Sequence, residues 1–101
     1  MQSAKDIRLG FVGLRNIGMN HVKRAHALPG VTVAALADTD SRRLDAACAL
    51  VGEEVAHHST ADALLAANEL DAVVLSVPNH LHAPMAIAAM QQGKSVLVMK
   101  K

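Results

Sequence analysis

The strongest constraint on the fold is a regular alternation between short apolar runs and longer segments with helical periodicity. The runs are rich in valine, leucine and alanine and occupy residues 7–12, 31–37, 72–77 and 95–99, with a weaker run at 54–58. Runs that are apolar at nearly every position indicate strands buried on both faces, as in a parallel sheet. The alternation therefore predicts strands joined by helical crossovers.

The segments between the runs carry the sequence signals of helix boundaries. A helix is expected to begin at a capping side chain or a proline and to end near a glycine. The predicted helices are 17–28 followed by Pro29–Gly30, a second from the cap Asp40 to Gly52, a third over 60–67 capped by Thr60, and a fourth with Pro84 in its first turn and Gly93 beyond its end.

The order of these elements predicts one α/β domain over residues 1–101. Because β-α-β crossovers are right-handed, the helices cover both faces of the sheet. The expected fold is a Rossmann-type, doubly wound, mainly parallel five-stranded sheet. A phosphoacceptor receiver domain has a similar size, but it needs an acidic cluster after the first strand, where this chain has glycines.

Charge and cysteine content exclude several classes of partner. The formal net charge is +1 and the basic residues are scattered, so neither nucleic acid nor an anionic membrane surface is an expected partner. The lone cysteine, Cys48, forms no internal disulfide and fits a reducing compartment. No apolar run approaches the ~20 residues that span a bilayer, so the expected location is cytoplasmic.

The turn between the first strand and the first helix resembles a dinucleotide-binding fingerprint. In GxGxxG the first glycine makes the turn, the second admits the pyrophosphate, and the third lets the helix pack on the strand. Gly13 and Gly18 occupy the first and third places, and Arg15 occupies the second. The Arg15 side chain obstructs the pyrophosphate, contacts a phosphate directly with its planar guanidinium, or is an ordinary solvated loop residue.

Acidic and basic residues follow the second strand. Asp38 lies twenty positions after Gly18, where a carboxylate can accept the ribose hydroxyls of NAD; the alternative is that it caps the next helix. Because Asp38 repels a 2′-phosphate, NAD is favoured over NADP. Arg42 is placed to cover an adenine face or to contact a 2′-phosphate, or it is an ordinary surface residue.

The stretch 76–82, SVPNHLH, follows the fourth predicted strand. Ligands of open α/β sheets bind beyond the carboxyl ends of the strands, so this stretch and the glycine turn should flank one crevice. His80 and His82 alone are too few ligands for a metal site, and none is predicted.

These segments together resemble the N-terminal domain of the Gfo/Idh/MocA oxidoreductases. The matching stretches are 7–21, 33–43 and 71–100, and the third is the most specific: P-N-x-x-H, an alanine-rich helix, then G-K-x-V-L-V. The resemblance implies an NAD(P)-dependent oxidoreductase acting on the CH–OH groups of sugars or polyols.

The resemblance also implies roles for individual residues. Gly13, Asn16 and Ile17 would line the pyrophosphate, and Asp38 would bind the adenosine ribose. The residues on the nicotinamide side would be Ser76, Pro78, Asn79 and His82. The family's Glu-Lys-Pro after the fifth strand is Met99-Lys100-Lys101 here, so Lys100 matches the lysine near the reacting centre.

The family's enzymes continue into a second domain that supplies the catalytic histidine and the substrate pocket. The expectation is therefore a truncated, cofactor-binding domain that is not catalytic alone; the alternative is a non-catalytic NAD(P)-binding sensor or interaction module. The edge of the fifth strand would be open to pairing with another copy of the chain.

Overall fold

The computed structural model describes residues 7–52, 55–67, 70–77, 79–93 and 95–98, with the backbone alone at 67, 79–82 and 95–98. Its elements alternate strictly between strand and helix. They are β1 (Ile7–Val12), α1 (Asn16–Ala27), β2 (Val31–Ala37), α2 (Ser41–Val51), β3 (Ala56–His58), α3 (Ala61–Ala67), β4 (Ala72–Leu75), α4 (Asn79–Gln91) and β5 (Ser95–Val98).

The strands form one sheet in the order β3-β2-β1-β4-β5, and all neighbouring pairs are parallel. The chain runs outward from β1 to β3, then returns across the sheet to β4 and runs outward again to β5. The carboxyl ends of β1 and β4 therefore meet where the direction reverses, which is where α/β sheets bind ligands. The prediction of a Rossmann-type parallel α/β fold is confirmed.

Two apolar cores cover the two faces of the sheet. One face packs against α1 and α2 and buries Phe11, Leu36 and Val74. The other packs against α3 and α4 and buries the neighbours of those residues in each strand, Val12, Ala35, Ala37, Val73 and Leu75. Since successive strand residues point to opposite faces, burial of both faces explains why the strands are almost continuously apolar.

The fourth strand and the fourth helix differ from the sequence predictions. β4 ends at Leu75, so Ser76 and Val77 belong to the loop that follows. The placement of Pro84 in the first turn of its helix is wrong, because α4 already begins at Asn79 and contains Pro84. Proline in a helix interior removes one backbone hydrogen bond. The packing of Met85, Ala86 and Ala88 against the core offsets that loss.

The helix caps agree with the sequence. Asp40 precedes α2, and its carboxylate accepts the Arg42 N–H at 2.9 Å; Thr60 precedes α3, and its hydroxyl accepts the Ala63 N–H at 3.1 Å. Within the described ranges, no helix has the length and apolar character needed to cross a membrane.

Candidate functional site

A crevice of about 570 Å³ opens at the carboxyl ends of four strands. Most of its polar side chains follow these strand ends: Arg15 after β1, Asp38 and Thr39 after β2, Ser59 and Thr60 after β3, and Ser76 after β4. Arg43 of α2 and Asp62 of α3 complete the polar lining. The predicted meeting of the glycine turn with the loop after β4 is therefore present in the structure.

Gly13 and Gly18 allow backbone segments to pack closely against each other beside the crevice. Gly13 has φ +93°, and a Cβ there would collide with the carbonyl oxygen of Ser76. A Cβ on Gly18 would collide with the carbonyl oxygen of Gly13 and lie 3.2 Å from the Ser76 Cβ. The two glycines thus let the turn, α1 and the end of β4 approach one another, as the first and third fingerprint positions require.

Arg15 stands immediately before α1, in extended backbone with φ −70° and ψ −179°. This conformation suits any residue, so the absence of glycine at the second fingerprint position produces no backbone strain. The Arg15 side chain is exposed and borders the crevice. It makes no capping hydrogen bond, and the first turn of α1, which contains Asn16 and Ile17, has no acidic side chain. The free amides of this helix end therefore remain available to an anion.

Asp38 is buried, with 8% of its surface exposed, at the end of β2. One carboxylate oxygen accepts the Leu14 N–H at 2.8 Å and the other accepts the Asp40 N–H at 2.7 Å. Asp40, rather than Asp38, caps α2. Asp38 instead joins the end of β2 to the glycine turn, and its oxygens retain lone pairs for further donors.

The two neighbouring arginines occupy different positions. The Arg42 side chain is 92% exposed and lies outside the crevice lining, with its Nε 3.8 Å from an Asp40 oxygen. Arg43 borders the crevice, with Nη1 3.6 Å from Asp38 and Nε 3.8 Å from Asp40. Arg43 therefore lies beside Asp38, whereas Arg42 has the exposed position of an ordinary surface residue, and its contact with the adenosine stays a prediction.

Hydrogen bonds and nearby positive charges favour the ionised form of Asp40. The backbone N–H of Arg42 is the main cause that holds the pKa of Asp40 below its ordinary value. The Arg43 N–H and the two guanidinium groups act in the same direction, while burial opposes them. Asp40 is therefore ionised near neutral pH, beside the guanidinium groups of Arg42 and Arg43.

Ser76 carries a buried hydroxyl on the crevice wall. The residue is 6% exposed, and its Oγ has no hydrogen-bond partner among the described residues. A buried polar group without a partner costs about 1–3 kcal/mol, which is a reason to expect a ligand atom beside it. The hydroxyl lies beside the glycine turn, since the turn packs directly against the Ser76 backbone.

The other predicted site residues are only partly described. Pro78 and Lys100 lie outside the described residues; Asn79 and His82 contribute backbone to the first turn of α4. In the part of the chain with described side chains, no group of three or more His, Cys, Asp or Glu residues could hold a metal ion.

Sequence reasoning missed several crevice residues, of which Arg43 is the most informative. A signal for Arg43 was present: it lies three residues after the cap Asp40, a spacing that brings side chains together at a helix start. Thr39, Ser59 and Thr60 follow β2 and β3 directly, so the rule of carboxyl strand ends could have identified them.

Known proteins are similar in sequence to this chain over most of its length. A "Glycosyl hydrolase family 109 protein" of Shewanella pealeana is 36% identical over 104 residues, covering 91% of this chain and 22% of that protein. "Inositol 2-dehydrogenase 1" of Saccharopolyspora erythraea is 36% identical over 95 residues, covering 93% of this chain and 28% of the dehydrogenase.

A solved structure of a dehydrogenase contains a closely similar fold. The scyllo-inositol dehydrogenase of Lactobacillus casei, with bound NAD(H) and scyllo-inositol, superposes with a TM-score of 0.87 at 25% identity. The match covers 93% of this chain and 28% of that one, so the chain spans less than a third of each of these proteins.

The match to a family model covers nearly all of the chain. Residues 7–100 match the Gfo/Idh/MocA model, an oxidoreductase family with an NAD-binding Rossmann fold. The family resemblance and the NAD cofactor inferred from the sequence are confirmed. This chain belongs to the Gfo/Idh/MocA oxidoreductase family, as its NAD-binding Rossmann domain.

Proposed function

We propose that the crevice binds NAD with the pyrophosphate at the start of α1 and the adenosine ribose at Asp38, and that the chain serves an oxidoreductase acting on polyol or sugar CH–OH groups. The observation that carries the proposal is the meeting of an uncapped helix N-terminus and a buried carboxylate in one crevice. The helix N-terminus suits the pyrophosphate of NAD, and the carboxylate suits the hydroxyl groups of its adenosine ribose.

The start of α1 supplies the complement to the pyrophosphate. Its free amides and the positive end of the helix dipole favour an anion. Gly13 lets the turn pack against the end of β4, and the exposed Arg15 can add a charge-assisted hydrogen bond to a phosphate oxygen. Arg15 therefore has the role of a phosphate contact in this proposal, rather than that of an obstruction.

Asp38 supplies the complement to the ribose. The two backbone amides fix both carboxylate oxygens, so the group loses little freedom on binding. Ribose hydroxyls can donate to the lone pairs that remain. Arg43 borders this position and balances the carboxylate charge.

The nicotinamide end is proposed to lie toward the loop after β4. Ser76 offers its unpaired hydroxyl there, and the sequence adds Pro78, Asn79, His82 and Lys100. When bound, NAD accepts a hydride from the carbon that is oxidised. The chain's residues would hold and orient the cofactor, and Lys100 would lie near the reacting carbon.

The relatives suggest two substrate classes for the complete activity. One relative is an inositol dehydrogenase, which favours a cyclic polyol. Another is a glycosyl hydrolase family protein at the same identity, which favours a glycoside as the second candidate. Both candidates require the same cofactor site, so cofactor binding is the property to test first.

Calorimetric titration with NAD tests the proposal directly. We expect saturable binding with a Kd in the micromolar range or weaker, about −8 kcal/mol or less in magnitude. Arg15→Gly should weaken binding; tighter binding would show that the side chain obstructs the pyrophosphate. A chain that is folded by circular dichroism but gives no saturable heat with NAD or NADP would refute the proposed cofactor site.

A further inference from the structure

The two helix layers of the domain differ in the character of their outer surfaces. On α1 and α2 the exposed side chains include the charged residues Lys23, Arg24, Arg42 and Asp45. Helix α4 contains no Asp, Glu, Lys or Arg at any position, and α3 contains only Asp62, in its first turn. The layer formed by α3 and α4 is therefore nearly free of charged side chains.

The outer side of α4 exposes two large apolar side chains. Ile87 is 51% exposed and Met90 is 57% exposed. Their spacing of three residues brings them together on one side of the helix. Single exposed apolar side chains are common on protein surfaces, but two within one turn of an uncharged helix form an apolar ridge.

Next to this ridge, α3 exposes small apolar side chains. The two helices contact each other and cover the same face of the sheet. Beyond Asp62, the exposed described residues of α3 are Ala63 and Ala66, whose side chains are single methyl groups. The outer surface thus has a ridge at Ile87 and Met90 and a hollow at the two alanines. We call these four residues the α3–α4 face.

A ridge beside a hollow is complementary to a second copy of itself. A two-fold axis parallel to the helices, between α3 and α4, lays the ridge of each copy over the hollow of the other, as in an isologous dimer. Contact through this face removes almost no charge from water, whereas contact through α1 and α2 would desolvate lysine and arginine. Two copies also repel each other little, because the formal net charge of the chain is +1.

The size of the face determines the strength of such a contact. Helix α4 has 13 residues and is therefore about 20 Å long, and two packed helices are about 20 Å wide. The face covers at most roughly 400 Å² per copy, about half of the roughly 800 Å² that each partner buries in a stable complex. The expected association is therefore weak and depends on concentration.

From these observations we propose that the α3–α4 face is a self-association surface, through which two copies of the chain form a weak symmetric dimer. Ile87 of each copy lies against the alanine hollow of the other. This contact between helices differs from pairing at the edge of β5. None of the four residues lines the crevice, so the dimer does not depend on the cofactor site.

Sedimentation velocity of the full chain tests the proposal. Between about 10 μM and about 1 mM, the sedimentation coefficient should rise from that of a monomer toward that of a dimer. Ile87→Lys, Met90→Lys and Ala63→Lys should each weaken dimerisation by about tenfold or more, because each dimer would bury two lysines. Leu28→Lys is the matched control, since Leu28 is 55% exposed and follows α1 in the opposite layer. It should leave dimerisation within about threefold.

Melting and nucleotide titration separate this contact from other causes. All four variants should melt within about 4 °C of the wild type, because substitutions of exposed side chains change stability little. A wild type that stays monomeric up to about 1 mM would overturn the inference and leave the face to a different protein or to solvent. Dimerisation that survives Ile87→Lys and Met90→Lys, or that weakens equally in Leu28→Lys, would assign the contact to another surface, such as the edge of β5. A chain that dimerises without binding NAD would refute the proposed function alone.

Discussion

Replacing Asp38 with alanine should destabilise the chain even when no nucleotide is present. The carboxylate accepts two backbone N–H groups, those of Leu14 and Asp40. Leu14 is 3% exposed, so its N–H would lose a partner that water cannot easily replace. A buried donor left without a partner costs about 1–3 kcal/mol, and the half-buried Asp40 N–H adds less because water can reach it.

The free energy of unfolding should therefore fall by about 2–3 kcal/mol. For a domain of this size, each kcal/mol corresponds to about 4–8 °C in Tm, so Tm should fall by roughly 10–20 °C. Thermal unfolding followed by circular dichroism without nucleotide measures this directly. Asp38→Asn should be intermediate, because its amide keeps only one acceptor oxygen.

Asp62→Ala is the matched control for this experiment. Asp62 is an exposed carboxylate that also borders the crevice, in the first turn of α3. Its removal should change stability by less than about 0.5 kcal/mol. If Asp38→Ala melts within about 2 °C of the wild type, the carboxylate does not support the glycine turn, and the reasoning from its two hydrogen bonds is wrong.

Three further predictions address other parts of the site. Gly18→Ala should lower the free energy of unfolding by more than about 2 kcal/mol in urea titrations, because its Cβ would meet the Gly13 carbonyl; an unchanged midpoint would contradict the packing described. Ser76→Ala should leave stability without ligand unchanged or raise it by up to about 1 kcal/mol while weakening NAD binding, so a clear loss of stability would show that Oγ has a partner. The folded-state pKa of Asp40 lies below the ordinary aspartate value, so the ionised carboxylate stabilises the fold at pH values above that ordinary value. This stabilisation is lost as the pH falls through the folded-state pKa of Asp40. The difference in Tm between wild type and Asp40→Ala should therefore narrow below about pH 4, and a constant difference would show that ionisation of Asp40 does not stabilise the fold.

Much of the fold could be predicted from local patterns because both faces of the sheet are buried. β1 and β2 have the bounds that their apolar runs predict, and the caps Asp40 and Thr60 occupy their expected places. The start of α4 could not be predicted in this way. Packing of the helix on the sheet outweighs the local cost of Pro84, and a single sequence does not display tertiary packing.

The site could be predicted at the level of backbone and less well at the level of side chains. The positions of Gly13 and Gly18 follow from the fingerprint spacing, since their roles are backbone approach. Whether Arg42 or Arg43 borders the crevice depends on the direction in which each side chain leaves the first turn of α2. That direction depends on the residue at which the helix starts. The hydrogen bond from the Leu14 N–H to Asp38 joins residues 24 positions apart, and no local pattern records it.

The bond between Asp38 and Leu14 spans 24 positions of the chain, and it restricts how cofactor preference can change over generations. A lineage that exchanged Asp38 to favour NADP would at the same step release the glycine turn and lose stability. Changes at Thr39, Arg42 or Arg43 alter the surroundings of the proposed ribose position without breaking that bond. Mutational routes to a new cofactor preference should therefore begin at the rim of the crevice and leave the buried carboxylate in place.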